Sequence, residues 1–419
     1  MVYYNLVKTL LDNGGIIKPI ILPSELTGGT GLCNTSLHYD GEKLRAIVRN
    51  VEYTLYHCEG EMKYQSRYEG PLSYYHRDDD LKLRTNNFYC ELDKNTLEVL
   101  RYNKIDTSKL DVTPKWTFIG LEDARLIQLN NKFYACGVRR DTTTNGQGRM
   151  EMSELEIGED YVKEVKRDRI EAPNDKTSYC EKNWMPVKGL DNTFIKWSNP
   201  TEVVEIDISN NSSKTIYQSD KYIEVPRDLR GGSQLIKWDN DTYLAILHEC
   251  KFVPKNQNGF KDGDYYHRFI LWNSDWTIKT LTKPFNFMTA RTEFCIGLEK
   301  IDNDVIIVFG FQDNGTYAVK TTTNLINNLI ENNFDEIMLN EKNRVSLLVS
   351  EKTNKLESRL QELIYDPKCY MKNLLLGYEY EKIKQNAIAL SYYLRCAEYS
   401  DDPNITCEAL IRGSFVIGR

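Results

Sequence analysis

The residues Gly120 to Leu126, GLEDARL, set two adjacent carboxylates, Glu122 and Asp123, and a guanidinium, Arg125, at the head of a strand-like run that continues to Ala135. Successive side chains of a strand face opposite ways, so Asp123 and Arg125 are expected to share one face, carboxylate beside cation, with Glu122 on the other. A weak surface ion pair would use the same residues. The chemical reading gains weight from other segments built alike. EKNW (Glu181, Lys182, Asn183, Trp184) brings an acid, a cation, an amide and an indole to a strand start, the mixed chemistry of a sugar or sugar-phosphate pocket; a bend around a buried Trp is the alternative. YLAILHE ends on His248 and Glu249, a titratable pair suited to an anion or to a solvated strand end. DYYHRF sets His267 and Arg268 ahead of an apolar strand whose Trp272 and Trp276 read as core, and EFCIG opens on Glu293.

No segment carries three or four ligands at metal spacing, and no C-x-x-C pair occurs among the ten cysteines, so no metal is expected. G-x-G-x-x-G, Walker and G-x-S-x-G motifs are absent too, which removes dinucleotide, P-loop and serine-hydrolase chemistry, and no cofactor is expected. What remains is carboxylates flanked by cations. That set suits displacement at a sugar's anomeric carbon, where one carboxyl handles the proton on the bridging oxygen. A second agent then acts on the opposite face: water with a base, phosphate, or another sugar's hydroxyl. Cations beside the acid favour an anionic reactant.

These residues need elements to bring them together. From about residue 31 to 320, short runs of Val, Ile, Tyr, Phe and Trp alternate with turns such as Asp40-Gly41, Asn130-Asn131, Asp191-Asn192, Asn240-Asp241 and Asn303-Asp304, the texture of antiparallel strands. Five similar frames begin at Asn34, Glu122, Glu181, Gly231 and Glu293, spaced by 88, 59, 50 and 62 residues, each a strand, a polar turn and a second strand. Repetition on this scale predicts an all-β fold, a five-bladed β-propeller. Polar residues at the start of each innermost strand would then converge on one axial pocket: Asn34, Glu122, Asp123, Glu181, Lys182, Asn183 and Glu293. A β-sandwich, the competing fold, would scatter them along edges. Residues 1–30 are read as an N-terminal arm with one short helix, its prolines Pro19 and Pro23 forbidding a long one. Residues 321–419 show apolar positions at helical spacing, and the run from Leu374 resembles a tetratricopeptide helix pair. A single such pair cannot bury its own face. It is expected either to pack on the propeller or to start an array that this chain does not continue, and the helical tail is the expected place for any protein partner.

The chain has 419 residues, a net charge of −7, 41% hydrophobic and 27% charged residues, and 27 tyrosines. This is the composition of a globular protein, and its negative charge argues against a nucleic-acid binder, which needs a basic footprint. The N-terminus lacks the apolar core of a signal peptide and no run of about 18 apolar residues occurs. A cytoplasmic location and buried, unpaired cysteines are therefore expected.

Taken in order, NTSL, GLEDARL, EKNW, the strand ending in His248, and FGFQDNGTYAVK resemble the inverting β-mannoside phosphorylases and related β-1,2-mannosyltransferases, which share a five-bladed propeller. The order is also similar to that of bacterial and viral or phage proteins described as glycosyltransferases, whose propeller is followed by tetratricopeptide-like helices. The resemblance covers roughly residues 25 to 410. It implies that Asp123 is the catalytic carboxylate and that Asn34, Arg49 and Asp313 contact the sugar. Arg149, Lys182 and His248 would hold phosphate, and we place Arg268 with them. Glu122, Arg125, Glu181, Asn183, Trp184, Glu249 and Glu293 complete the expected substrate pocket. Two departures stand out: Ala124 where the phosphorylases usually have Pro, and Glu249 where Gly tends to follow the His. The second sets phosphorolysis in question, since it would bring negative charge towards phosphate. The expectation is an inverting glycosyltransferase that uses a nucleotide sugar or sugar 1-phosphate as donor and a glycan or other hydroxyl as acceptor. A glycoside phosphorylase, a hydrolase and a glycan-binding propeller are the alternatives.

Overall fold

The computed structural model describes residues 4–55, 68–69, 73–76, 82–174, 177–253, 262–334 and 355–418; Cys58 and the helical pattern read over 335–354 lie outside them. The described chain is mostly β, and antiparallel four-strand meanders recur along it. The first comprises Gly31–Tyr39, Leu44–Val51, Leu83–Leu92 and Val99–Asp106. The second comprises Glu122–Leu129, Lys132–Arg139, Arg149–Ile157 and Val162–Ile170. A short parallel pairing of Ile105 and Asp106 with Val162 and Lys163 joins these two into one larger sheet. Met185–Pro186, Thr193–Ser198, Thr201–Asp207 and Ser212–Gln218 make the third. The fourth runs Ile236–Lys237, Thr242–Val253, Asp262–Asn273 and Ile278–Leu281, with Asp228–Arg230 alongside the far end of its long second strand. Glu293–Ile301, Asp304–Phe311 and Gly315–Thr322 form the last. Its fourth strand, Ile16–Pro19, comes from the start of the chain.

Turn chemistry explains the hairpins. Asn130 and Asn131 both take left-handed φ, +49° and +61°, the two-residue turn whose twist matches the flanking strands and which Asn tolerates better than most residues. Burial follows position within each meander. Gly31–Tyr39 is buried on both faces along nearly its whole length, whereas Ser212–Gln218 and, apart from buried Ile105, Val99–Asp106 run between half-buried and exposed. The first strands of the first, second and last meanders pack against one another, so they are covered on both sides.

At one end of these first strands a charged network ties the sheets together. Lys188 donates to both Glu299 oxygens (2.8 and 2.6 Å) and to the Tyr39 carbonyl (2.8 Å); Gln234 donates to the Leu37 carbonyl (2.7 Å) and to Glu299 (3.2 Å). The network links residues of the first and last meanders with the first turn of the third and the segment leading into the fourth. Burial raises the Glu299 carboxyl above its ordinary range, and Lys188 opposes that. Such a pair is costly to desolvate, but it forces one arrangement of the strands around it.

The segment expected as an arm is built into the fold. Leu6–Asp12 forms a helix capped by Asn5, and its Leu6, Val7, Leu10 and Leu11 join the largest apolar core. Helices Thr323–Glu331, Lys355–Tyr365, Tyr370–Lys382, Asn386–Tyr399 and Pro403–Gly418 follow the sheets. Their apolar residues enter the same core as Phe309 and Tyr317 of the last meander. Tyr317 shares hydroxyl hydrogen bonds with Tyr380 (3.0 Å) and Tyr392 (2.7 Å). The helical region therefore spends an apolar face on the last sheet. Of the nine cysteines within the described residues, Cys180 and Cys369 are half-buried, Cys407 is exposed and the rest are buried; all are unpaired.

Candidate functional site

The strand Glu122–Leu129 begins irregularly. Its pairing with the next strand slips between Glu122 and Arg125, and Asp123 takes φ +53°. A left-handed residue breaks the alternation of a strand and is tolerated best, after glycine, by Asn and Asp. The expected side-by-side placement of Asp123 and Arg125 is therefore corrected. Arg125 donates to the backbone carbonyls of Asp123 (3.1 Å) and Gly232 (2.8 Å), while the Asp123 carboxylate turns towards the first meander. There Oδ1 accepts from Asn34 Nδ2 (2.8 Å) and Arg49 Nη1 (2.7 Å).

Asn34 is placed by the same device: φ is +44°, at a slip between Cys33 and Ser36. Gly310, in FGFQD, gives it room, because a Cβ there would lie 2.7 Å from Asn34 Oδ1 and 3.0 Å from its backbone nitrogen. Arg49 is gripped from behind by the Tyr53 hydroxyl (2.7 Å) and Thr85 Oγ1 (3.2 Å). Neither Tyr53 nor Thr85 is among the residues expected from sequence. Tyr53 lies four positions after Arg49 in an extended stretch, a spacing that returns a side chain to the same face and is a usable signal. Thr85, on the next strand of the meander and 36 positions along the chain, has none.

Burial pushes the Asp123 carboxyl up, but Arg49, Lys182, the Asn34 amide and Arg125 together outweigh it and hold the group below the usual carboxylate range. Glu122 lies 3.5 Å from Lys182 and, despite the loss from burial, raises that ammonium's pKa. Burial also drives the Cys33 thiol well up, with Asp313 adding to the effect and Arg49 opposing it. Asp313 thus belongs to the same neighbourhood, in a turn where Gln312 and Asp313 are both left-handed. The fold gathers Asn34, Arg49, Glu122, Asp123, Lys182 and Asp313, from the first, second and last meanders and the segment before the third.

His248 is buried, donates from Nδ1 to the Gly231 carbonyl (2.9 Å) and stacks on Tyr265 at 5.6 Å. Burial, then the fields of His267, Arg230 and Lys182, lower its pKa well below the ordinary value. The expectation of a cation is corrected: the ring stands neutral near pH 7. Two further cations act here, Arg140 on Lys182 and Arg230 on His248, and no sequence motif marks either.

Several expected pocket residues instead hold the framework. Glu181 accepts from Ser178 Oγ (2.7 Å) and from Nε1 of Trp184 (3.1 Å), whose indole is in the core against Phe194. Asn183, at φ +62°, is buried beside them. Arg149 donates to the carbonyls of Gly148 (2.9 Å) and Ser178 (2.8 Å) and lies 3.4 Å from Glu171. Glu249 is fully buried and paired with Arg268, with Arg227 at 3.4 Å. Its neighbour His248 points to the other face of the strand, so Glu249 brings no charge towards it. Arg268 is occupied by Glu249 and the Thr282 carbonyl (2.6 Å). Glu293 accepts from the backbone N–H groups of Phe287 (2.6 Å), Met288 (2.7 Å) and Ala290 (3.0 Å), an internal clamp on that loop. Among the described residues no three His, Cys, Asp or Glu side chains are grouped to hold a metal ion. No described helix is long and apolar enough to cross a membrane.

Known structures of sugar-active proteins resemble this chain. One is the β-1,2-mannobiose phosphorylase of Listeria innocua, at 12% identity over 75% of this chain and 93% of that one, with a TM-score of 0.44. Another is a GDP-Man-dependent mannosyltransferase from Leishmania mexicana, at 13% identity over 73% and 90%, TM-score 0.40. A mannose phosphorylase of the same organism, solved with phosphate, is similar at 12% identity over 73% and 88%, TM-score 0.40. No family model and no curated protein sequence matches the chain.

Proposed function

We propose that this chain is an inverting glycosyltransferase built on five propeller blades, one per meander, with residues 31–320 as the catalytic unit. Residues 1–30 and a tetratricopeptide-like region, 321–419, serve as its supports. The blade reading is supported by the common layout of the meanders, the mutually packed first strands of the first, second and last, and a last sheet completed from the start of the chain. Mannose, the sugar named for the similar phosphorylases and mannosyltransferase, is the first to try.

The single observation that carries the reaction is the Asp123 carboxylate, buried yet kept ionised by Arg49 and Asn34. An ionised carboxylate accepts protons, so Asp123 acts as general base. It takes the proton of the acceptor hydroxyl while that oxygen bonds to the anomeric carbon. The bond from that carbon to the donor's phosphate oxygen breaks on the opposite face, and the phosphate leaves with the electron pair. Lys182, with Arg230 and Arg140 nearby, neutralises the departing charge.

A glycoside phosphorylase is the second reading, because Glu249, the residue that seemed to oppose phosphate, is neutralised on the far face of its strand. The two separate on incubation of the full chain with nucleotide sugars or with sugar 1-phosphates, each with oligosaccharide acceptors, and measurement of released nucleotide or phosphate. Asp123→Asn should abolish turnover while the protein stays folded. Turnover retained in D123N overturns the assignment, and donor binding without consumption of any donor points to a glycan-binding propeller.

A further inference from the structure

Asn314 bonds the helical region to the sheets beside the site. Asn314 sits in the turn that carries Asp313, and its amide is used at both ends: Nδ2 donates to Ser391 Oγ on helix Asn386–Tyr399 (2.7 Å), and Oδ1 accepts from Thr54 Oγ1 (3.3 Å). Thr54 follows Tyr53, whose hydroxyl accepts from Arg49 (2.7 Å), and Arg49 in turn donates to Asp123 (2.7 Å). Asn314 and Ser391 are buried and Thr54 is half-buried, so water is a poor replacement for the bond between Asn314 and Ser391. The same helix fixes the other approach to the site. The backbone N–H of Ala387 donates to the Gly29 carbonyl (2.9 Å), just ahead of the strand that carries Asn34. One turn beyond Ser391 on the same face, the Arg395 guanidinium lies 5.7 Å from the Phe311 ring, beside the Asp313 turn.

We infer that Asn314 is a positioning residue, through which helix Asn386–Tyr399 holds the Tyr53–Thr54 segment and so sets how tightly Arg49 grips Asp123. The inference deepens the reading of Asp123 as the reacting carboxylate and rests on it. Helices appended to the sheet would then be part of the site's support as well as of its core. Asn suits the position because it offers a donor and an acceptor at once, whereas Asp or Ala removes the donor.

Titration of Asp123 itself tests this without any assay of turnover. In full-length protein labelled with 13C at aspartate carboxyls, the Asp123 signal is assigned by its loss in D123N. The variants N314A, T54V and S391A leave every charged group that faces Asp123 in place: Arg49 from the first meander, Glu122 and Arg125 on its own strand, Lys182 before the third, and Asp313 in the last. Each variant should raise the Asp123 pKa by about half a unit or more as the grip of Arg49 loosens. N314A combined with T54V should do no more than the larger single change, the non-additivity expected of one linkage. If N314A lowers the melting temperature but Asp123 titrates as in wild type, Asn314 is structural only and the inference fails. Should N314A not fold, unchanged titration in both T54V and S391A overturns the inference equally. Failure of the transfer reaction with shifted titration would instead discard the proposed activity and keep the linkage.

Discussion

Arg49, itself buried, bonds to buried Asp123 and Tyr53 and to half-buried Thr85. A buried ion pair of this kind adds little over an apolar pair, but losing one member strands the other. Arg49→Gln should therefore destabilise the fold by about 3–5 kcal/mol near pH 7, measurable by urea unfolding. Since the folded pKa of Asp123 lies below its unfolded value, its contribution is present above about pH 4 and is lost as pH falls through the folded value. The gap between wild type and R49Q should thus narrow in acid. The same depression places the acid limb of kcat/KM below the ordinary carboxylate range in wild type, and R49Q should move that limb upward. At this scale, Asp123, Asn34 and Lys182 were legible from residue type and position in the repeat. Which cation Asp123 would meet was not, because alternation assumes regular φ and Asp123 is left-handed.

At the level of strands and turns, two slips in pairing aim Asn34 and Asp123 at each other, and Gly310 makes the space for one of them. Gly310→Ala puts a Cβ against Asn34 Oδ1 and its backbone. The variant should lose about 1–3 kcal/mol of stability and should raise the Asp123 pKa, since the Asn34 amide no longer reaches it. Glu293 makes a different element-scale prediction. Burial raises its carboxyl to about 7, against the three backbone N–H groups that favour the charge. Its folded pKa exceeds its unfolded one, so its contribution is full below about pH 4.5 and is lost as pH rises through about 7. Glu293→Gln should flatten the pH dependence of stability across that window. It should also cost about 1–3 kcal/mol where one backbone donor is left unpaired. Hairpins could be read from Asn and Gly turns because those residues supply left-handed φ locally. The slips could not, because they appear only when two strands are laid together.

Across the whole molecule, the Lys188–Glu299–Gln234 network holds the sheets at one end while the Asp123 cluster lies towards the other ends of the same strands. Lys188→Met leaves Glu299 buried without its cation, and should destabilise the protein by about 3–5 kcal/mol at neutral pH. Glu299 then titrates higher in the folded state, so stability of K188M should recover as pH falls through that raised value towards about 4.5, where the unfolded carboxyl also protonates. Thermal unfolding across that range checks both signs. Removal of residues 355–419 should yield aggregated chain instead of a trimmed sheet domain, because Phe309, Tyr317 and the N-terminal helix share their core with those helices.

The sequence by itself determined the β texture, the repeat of strand, turn and strand, the helical end and the acid around which the site is built. Those follow from side-chain periodicity and turn chemistry, which act within a few residues. Tertiary structure alone decided that Arg49, and not Arg125, grips Asp123, that Glu249, Arg268, Glu293 and Trp184 belong to the framework, and that the start of the chain completes its last sheet. Each of these depends on which distant segments exclude water from one another, and nothing in a local pattern specifies that.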